Sequence, residues 1–217
     1  MNAERGLRVR IATAARRLSA SGMNPGRSGN LSARADGGFI VTPSGAPYET
    51  LHPDDLVLVT TAGAFEGARQ PSSEWRLHRD LYARGKDVGG VVHTHSPHAT
   101  TLACLGRSIP AFHYEVAFAG GADIRCAPYA TFGTQELSDA ASAALHGRRA
   151  CLLANHGVVA VGATLEEAVD LAEKVEALAR MYWQALQIGQ PTILDAAEMA
   201  RVVELFAGYG KEPRRDG

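Results

Sequence analysis

His93 and His95 stand two apart in Val91-Val92-His93-Thr94-His95-Ser96-Pro97, and that spacing is the chain's first sign of chemistry. The paired valines favour a strand, along which residues two apart face the same way. Two neutral imidazoles can then converge on one ion, and zinc suits such ligands. A polar strand edge carrying two histidines is an equal reading of the pair taken alone. A catalytic zinc takes three protein ligands and an open position, or a fourth ligand that steps aside.

His156 is the best third candidate: it ends the apolar run Ala150-Cys151-Leu152-Leu153-Ala154 and precedes Gly157, where backbone can approach another element closely. Glu74, in Pro71-Ser72-Ser73-Glu74, is the best fourth. His78, one helical turn beyond it, reads as structural. His52 and His146 fall in loop and helix-end settings, His98 lies past the proline break, and His113 adjoins Tyr114 without a usefully spaced partner.

These side chains need elements to position them. Leu7, Ile11, Ala14, Ala15 and Leu18 predict a first helix that stops near Ser21-Gly22. The turn-rich stretch Asn24 to Ser32 exposes backbone N–H groups that can nest an anion, or is a plain connector. Phe39–Thr42 and Leu56–Thr60 predict short strands, the second with a hairpin partner. A helix capped by Ser72 or Ser73 places Glu74 in its first turn, with Leu77 and Leu81 buried. Further helices are expected over 100–105, 134–147, from Thr164 to Gly189 behind a capping box, and from Asp195 to Gly208. The run 150–154 reads as a strand covered on both faces, with 158–161 returning beside it. Helices and hairpin-like strand pairs without a strict βαβ rhythm predict a mixed or antiparallel sheet covered on both sides.

Composition narrows the field. The 217 residues carry a net charge of −1, which gives no electrostatic case for nucleic acid or an anionic membrane. Cys104, Cys126 and Cys151 form no CxxC and read as reduced thiols of a cytoplasmic protein. No apolar run is long enough for a membrane span, and no GxGxxG follows a strand. One domain is expected over 1–217, with 210–217 as a mobile tail.

Taken together, Gly29-Asn30-Leu31-Ser32, Thr42-Pro43-Ser44-Gly45, Pro71-Ser72-Ser73-Glu74-Trp75-Arg76, His93-Thr94-His95, Ile109 to Tyr114, Gly120-Gly121, Cys126 to Thr134, His156-Gly157 and Tyr209-Gly210 resemble the class II aldolase/adducin family, in order along nearly the whole chain. The resemblance implies an α/β/α sandwich and a C4 homotetramer with active sites at subunit boundaries. It implies zinc on Glu74, His93, His95 and His156, and phosphate on Gly29, Asn30, Ser44, Gly45, Ser72 and Ser73. Glu74 becomes catalytic, together with Tyr114 and Tyr209, which in the family reach a neighbouring subunit's site. The implied activity is reversible cleavage of a ketose 1-phosphate, L-fuculose 1-phosphate first, to dihydroxyacetone phosphate and an aldehyde such as L-lactaldehyde. Deoxy or methylthio ketose 1-phosphates are the alternative, then a sugar-phosphate 4-epimerase or dehydratase, and last a non-catalytic adducin-like module.

Such a cleavage must stabilise an enediolate, by a metal or by a lysine Schiff base. The three lysines, Lys86, Lys174 and Lys211, sit in turn, helix-surface and tail settings, which favours the metal. Arg27 and Asn155 depart from the family pattern, which has a small hydroxyl residue and a histidine there.

Overall fold

The structure, a computed structural model, describes residues 3–208. Eight strands form one sheet: β1 (Asn30–Ala35), β2 (Gly38–Val41), β3 (Val57–Thr60), β4 (Phe65–Glu66), β5 (Gly90–Thr94), β6 (Arg125–Ala127), β7 (Ala150–Leu153) and β8 (Gly157–Gly162). Their order is β4-β3-β2-β1-β5-β8-β7-β6, antiparallel throughout except where β6 runs parallel to β7. The helices are α1 (Ala3–Ala20), α2 (Trp75–Ala83), α3 (Pro97–Cys104), α4 (Gln135–Ala144), α5 (Leu165–Ile188) and α6 (Ala196–Gly208), with a 3-10 segment over Tyr114–Ala119.

Alternation along the strands divides the core in two. On one face Phe39, Val57, Val91, Cys151 and Val159 pack against Leu77 and Leu81 of α2 and Leu137 and Ala141 of α4. On the other, Leu31, Ile40, Val92, Leu152 and Val158 meet α1, α3 and α5. The result is an α/β/α sandwich, as expected. Because Val91 faces α2, His93 faces it too, and so do Asn30 and Ser32 of β1, whose neighbour Leu31 points away.

Several expectations need correction. Asn30 to Ser32 is not loop: it opens β1, and Asn30 sits directly opposite His93 across the antiparallel pair. The turn composition of 24–29 masked a strand whose polar residues face a buried cluster. Neither Ser72 nor Ser73 caps α2; Glu74 occupies the N-cap position without a side-chain cap bond. The Ser72 hydroxyl instead accepts from the Glu74 N–H at 3.3 Å, which frees the Glu74 carboxylate to turn inward. Pro97 opens α3 three residues before the expected start, as suits a residue with no N–H to lose.

α5 behaves as its sequence suggests. Thr164 accepts from the Glu167 N–H, although the Glu167 carboxylate answers to Ala163 rather than to the cap residue. From α5, Glu176 accepts the N–H groups of His98 and Ala99, both at 2.9 Å, and so caps α3. That bond holds the turn that carries His95 at the end of β5.

Candidate active site

Three strand ends deliver the histidines. His93 lies in β5, His95 immediately after it, and His156 just before β8, in a turn where Asn155 takes a left-handed conformation with φ 54°. Two glycines allow the approach. A Cβ on Gly157 would overlap the Thr94 carbonyl and press on both the His95 and His93 rings. A Cβ on Gly29 would overlap the Asn24 side chain and the His93 carbonyl, and its φ of +75° is itself a glycine conformation.

The three imidazoles pack edge to face, with ring centroids 4.8–4.9 Å apart. Their ligand nitrogens all lie within 4.8 Å of one another, with His93 Nε2 and His95 Nε2 only 3.0 Å apart. Glu74 reaches in from the end of α2: Oε2 is 3.3 Å from His93 Nε2, and Oε1 is 3.4 Å from His156 Nε2. Tetrahedral zinc with bonds of about 2.0–2.1 Å sets its ligand atoms about 3.3 Å apart, so these separations suit it.

The chemistry of the four groups agrees with the spacing. His93 gives its Nδ1 proton to the Val158 carbonyl at 2.8 Å, which leaves the Nε2 lone pair facing the cluster. Burial pushes His95 and His156 down to about 4, so both imidazoles stay neutral. Burial works to raise the Glu74 carboxyl, but His93, His156 and the Asn30 amide outweigh it and hold it below the usual range. Glu74 Oε1 is buried and has no hydrogen-bond donor among the described residues. A buried charged oxygen in that position needs a cation or proton, and the residues present fit a divalent metal.

A cavity of about 310 Å³ opens beside the cluster, lined by Glu74, His95 and His156. All six residues expected to hold phosphate line it as well: Gly29, Asn30, Ser44, Gly45, Ser72 and Ser73. Main-chain bonds from Ser44 to Gln70 (3.1 Å) and from Ser72 to Thr42 (3.0 Å) bring their loops together. Arg27 is the one cation among the described lining residues, and its guanidinium donates to the Gly45 carbonyl at 3.2 Å. No lysine lines it among the described residues, and Lys174 is paired with Glu115 elsewhere.

Tyr114 is not brought to this cavity. It lies half exposed on the surface, its ring against His113 and Phe206. Tyr209 falls outside the described residues. A larger cleft of about 560 Å³ runs beside the 3-10 segment and α5, lined by Arg149, Glu167, Asp170 and Lys174 among others. Tyr129, which also lines the cavity, receives no role from the sequence, although it lies within the Cys126–Thr134 stretch that carries the family resemblance.

With the fold and cluster in place, comparison with known proteins decides the family. A model of the class II aldolase and adducin N-terminal domain matches residues 9–183. The chain belongs to that family. This class II aldolase is 56% identical over 204 residues (94% of this chain, 92% of the other) to the 5-methylthioribulose-1-phosphate/5-deoxyribulose-1-phosphate aldolase of Rhodospirillum rubrum. It is 46% identical over 190 residues (87% and 88%) to the L-fuculose phosphate aldolase of Escherichia coli K12. A solved L-fuculose 1-phosphate aldolase matches with a TM-score of 0.90 at 38% identity, covering 93% of this chain and 96% of that one. The chain is therefore an enzyme of a metal-dependent class, and no helix of its described residues is long and apolar enough to cross a membrane.

Proposed function

We propose that this chain is a single catalytic domain that cleaves a ketose 1-phosphate reversibly between C3 and C4, giving dihydroxyacetone phosphate and an aldehyde. The observation that carries the reading is the meeting of Glu74, His93, His95 and His156 beside a cavity that Gly29, Ser44 and Ser72 also line. Those four side chains would hold Zn²⁺, which would supply Lewis-acid chemistry to the charge left by the broken bond.

The chain's own groups do the rest. Gly29, Asn30, Ser44, Gly45, Ser72 and Ser73 receive the phosphate on amides and neutral hydrogen-bonding side chains, and Arg27 adds the positive charge they lack. Glu74 moves the proton at C3 of dihydroxyacetone phosphate from its place in the cavity lining. Tyr114, from a neighbouring copy of the chain, gives a proton to the C4 oxygen during condensation and takes it back during cleavage, with Tyr209 assisting. Surface placement of Tyr114 in the single chain supports that role, and with it a homotetramer of C4 symmetry whose sites lie at subunit boundaries. We place the enzyme in the cytoplasm.

Among substrates, the 5-methylthio- and 5-deoxyribulose 1-phosphates rank ahead of L-fuculose 1-phosphate. The relative at 56% identity is named for the first two. The exposed rings of Tyr129 and Phe132 at the cavity rim suit an apolar aldehyde tail better than the hydroxyl of lactaldehyde. The test is to incubate the zinc-loaded protein with all three and measure each aldehyde. We expect the highest kcat/KM for a tail without the hydroxyl; preference for L-fuculose 1-phosphate reverses the ranking, and no dihydroxyacetone phosphate from any of them refutes the aldolase reading.

A further inference from the structure

Behind the Glu74 carboxylate runs a row of buried polar side chains, of which the chemistry above uses only Asn30. Glu74, His78 and Tyr82 stand four apart, the first capping α2 and the others on one of its faces. Asn30 and Ser32 stand two apart on the facing side of β1, so the two rows interleave. The Asn30 amide donates from Nδ2 to Glu74 Oε2 at 2.8 Å, and its Oδ1 lies 2.5 Å from His78 Nε2. Beyond the imidazole, Ser32 Oγ is 2.6 Å from His78 Nδ1 and 2.7 Å from the Tyr82 hydroxyl. Asn30, Ser32, His78 and Tyr82 are all buried.

The hydrogen-bond inventory of these groups fixes every direction in the row. An ionised Glu74 only accepts, so Asn30 must turn its NH₂ toward it and its carbonyl oxygen toward His78. That oxygen also only accepts, so the imidazole carries its one proton on Nε2. Nδ1 then accepts from Ser32, which accepts in turn from Tyr82. Burial holds His78 down to about 3, so the ring stays neutral with a single proton to place.

We propose that His78 is a positioning residue whose Nε2–H locks the Asn30 amide, so that Nδ2 holds Glu74 Oε2 and keeps its second proton for a phosphate in the cavity. The role rests on the reading of that cavity as a phosphate site. Without the lock, the amide can turn over and present its oxygen to two anions, the carboxylate and the phosphate. The sequence reading of His78 as merely structural misses this, because the pattern spans two elements: Glu-x3-His-x3-Tyr on α2 and Asn-x-Ser on β1.

Asparagine and glutamine at position 78 separate positioning from structure. The amide of His78→Gln reaches where Nε2 stood and can still donate to Asn30, whereas that of His78→Asn reaches only where Nδ1 stood. Binding of inorganic phosphate to the zinc-loaded protein is read by titration calorimetry, with melting temperatures alongside. We expect His78→Asn to weaken phosphate about tenfold or more and His78→Gln by no more than about threefold, in line with one hydrogen bond to a charged group. Equal weakening in both, or none in either, overturns the role. A measurement that needs no variant is nitrogen-15 NMR of the wild-type imidazole: the Nε2–H tautomer supports the lock, and the Nδ1–H tautomer overturns it. A wild-type protein that binds no phosphate sinks the cavity reading and the lock together; one that binds phosphate while the variants stay indifferent sinks the lock alone.

Discussion

Glu74 divides its carboxylate between two surroundings, one oxygen held by the Asn30 amide and the other buried beside His156, without a donor among the described residues. Its shape can be kept while its charge is removed. Glu74→Gln is expected to lower kcat by about 10²–10⁴, the range for loss of a general acid–base group, with phosphate affinity near wild type; a steady-state assay that finds unchanged kcat contradicts the role. Arg27→Met is expected to raise KM about tenfold with kcat little altered, as for one charge-assisted bond to substrate; a lost kcat with unchanged KM contradicts that. The histidines also set an acid limit. Burial lowers His95 and His156 from the ordinary 6.5 to about 4, and His78 to about 3. The unfolded chain therefore binds more protons between those values and 6.5. Stability of the metal-free protein is full above about pH 6.5 and falls as the pH drops toward 4 and below. Calorimetry from pH 7 to 4 should show a steadily falling Tm, and a flat profile would contradict the neutral cluster.

Among the elements, those announced by apolar periodicity and capping residues were legible in sequence. α1, α4, α5 and the β7–β8 pair fall within a few residues of expectation, because Ile11/Ala15/Leu18, Thr134, Thr164 and the 150–154 run each state one local preference. β1 was not legible: the row that faces α2 is the polar pair Asn30 and Ser32, whose burial depends on a helix more than forty residues on. The α2 start was misplaced for a related reason, since Ser72 spends its hydroxyl on the Glu74 N–H to aim a carboxylate rather than to cap. Gly157 shows how tightly the elements meet. Gly157→Ala drives a methyl into the Thr94 carbonyl and is expected to cost about 1–3 kcal/mol, as overpacking does. It should also lower zinc occupancy, by metal analysis; a variant with wild-type Tm and full zinc would mean that β8 can give way.

For the molecule as a whole, the order of the motifs carried the family and the α/β/α sandwich, and the histidines singled out by strand spacing and by Gly157, His93, His95 and His156, are brought together in the fold. What no single-chain pattern gives is the place of Tyr114, which sits on the surface away from the cavity. Light scattering should therefore give four times the 23.0 kDa chain, and mixing Tyr114→Phe with Glu74→Gln protein should restore part of the activity that each has lost. A monomer with full activity would contradict shared sites. The most direct measurement is release of dihydroxyacetone phosphate from 5-methylthioribulose 1-phosphate by metal-stripped protein as zinc is titrated in. We expect no release without metal and a linear rise to a plateau at one zinc per chain; full release from the stripped protein, or none at any zinc level, would contradict a metal-dependent aldolase built on these four side chains.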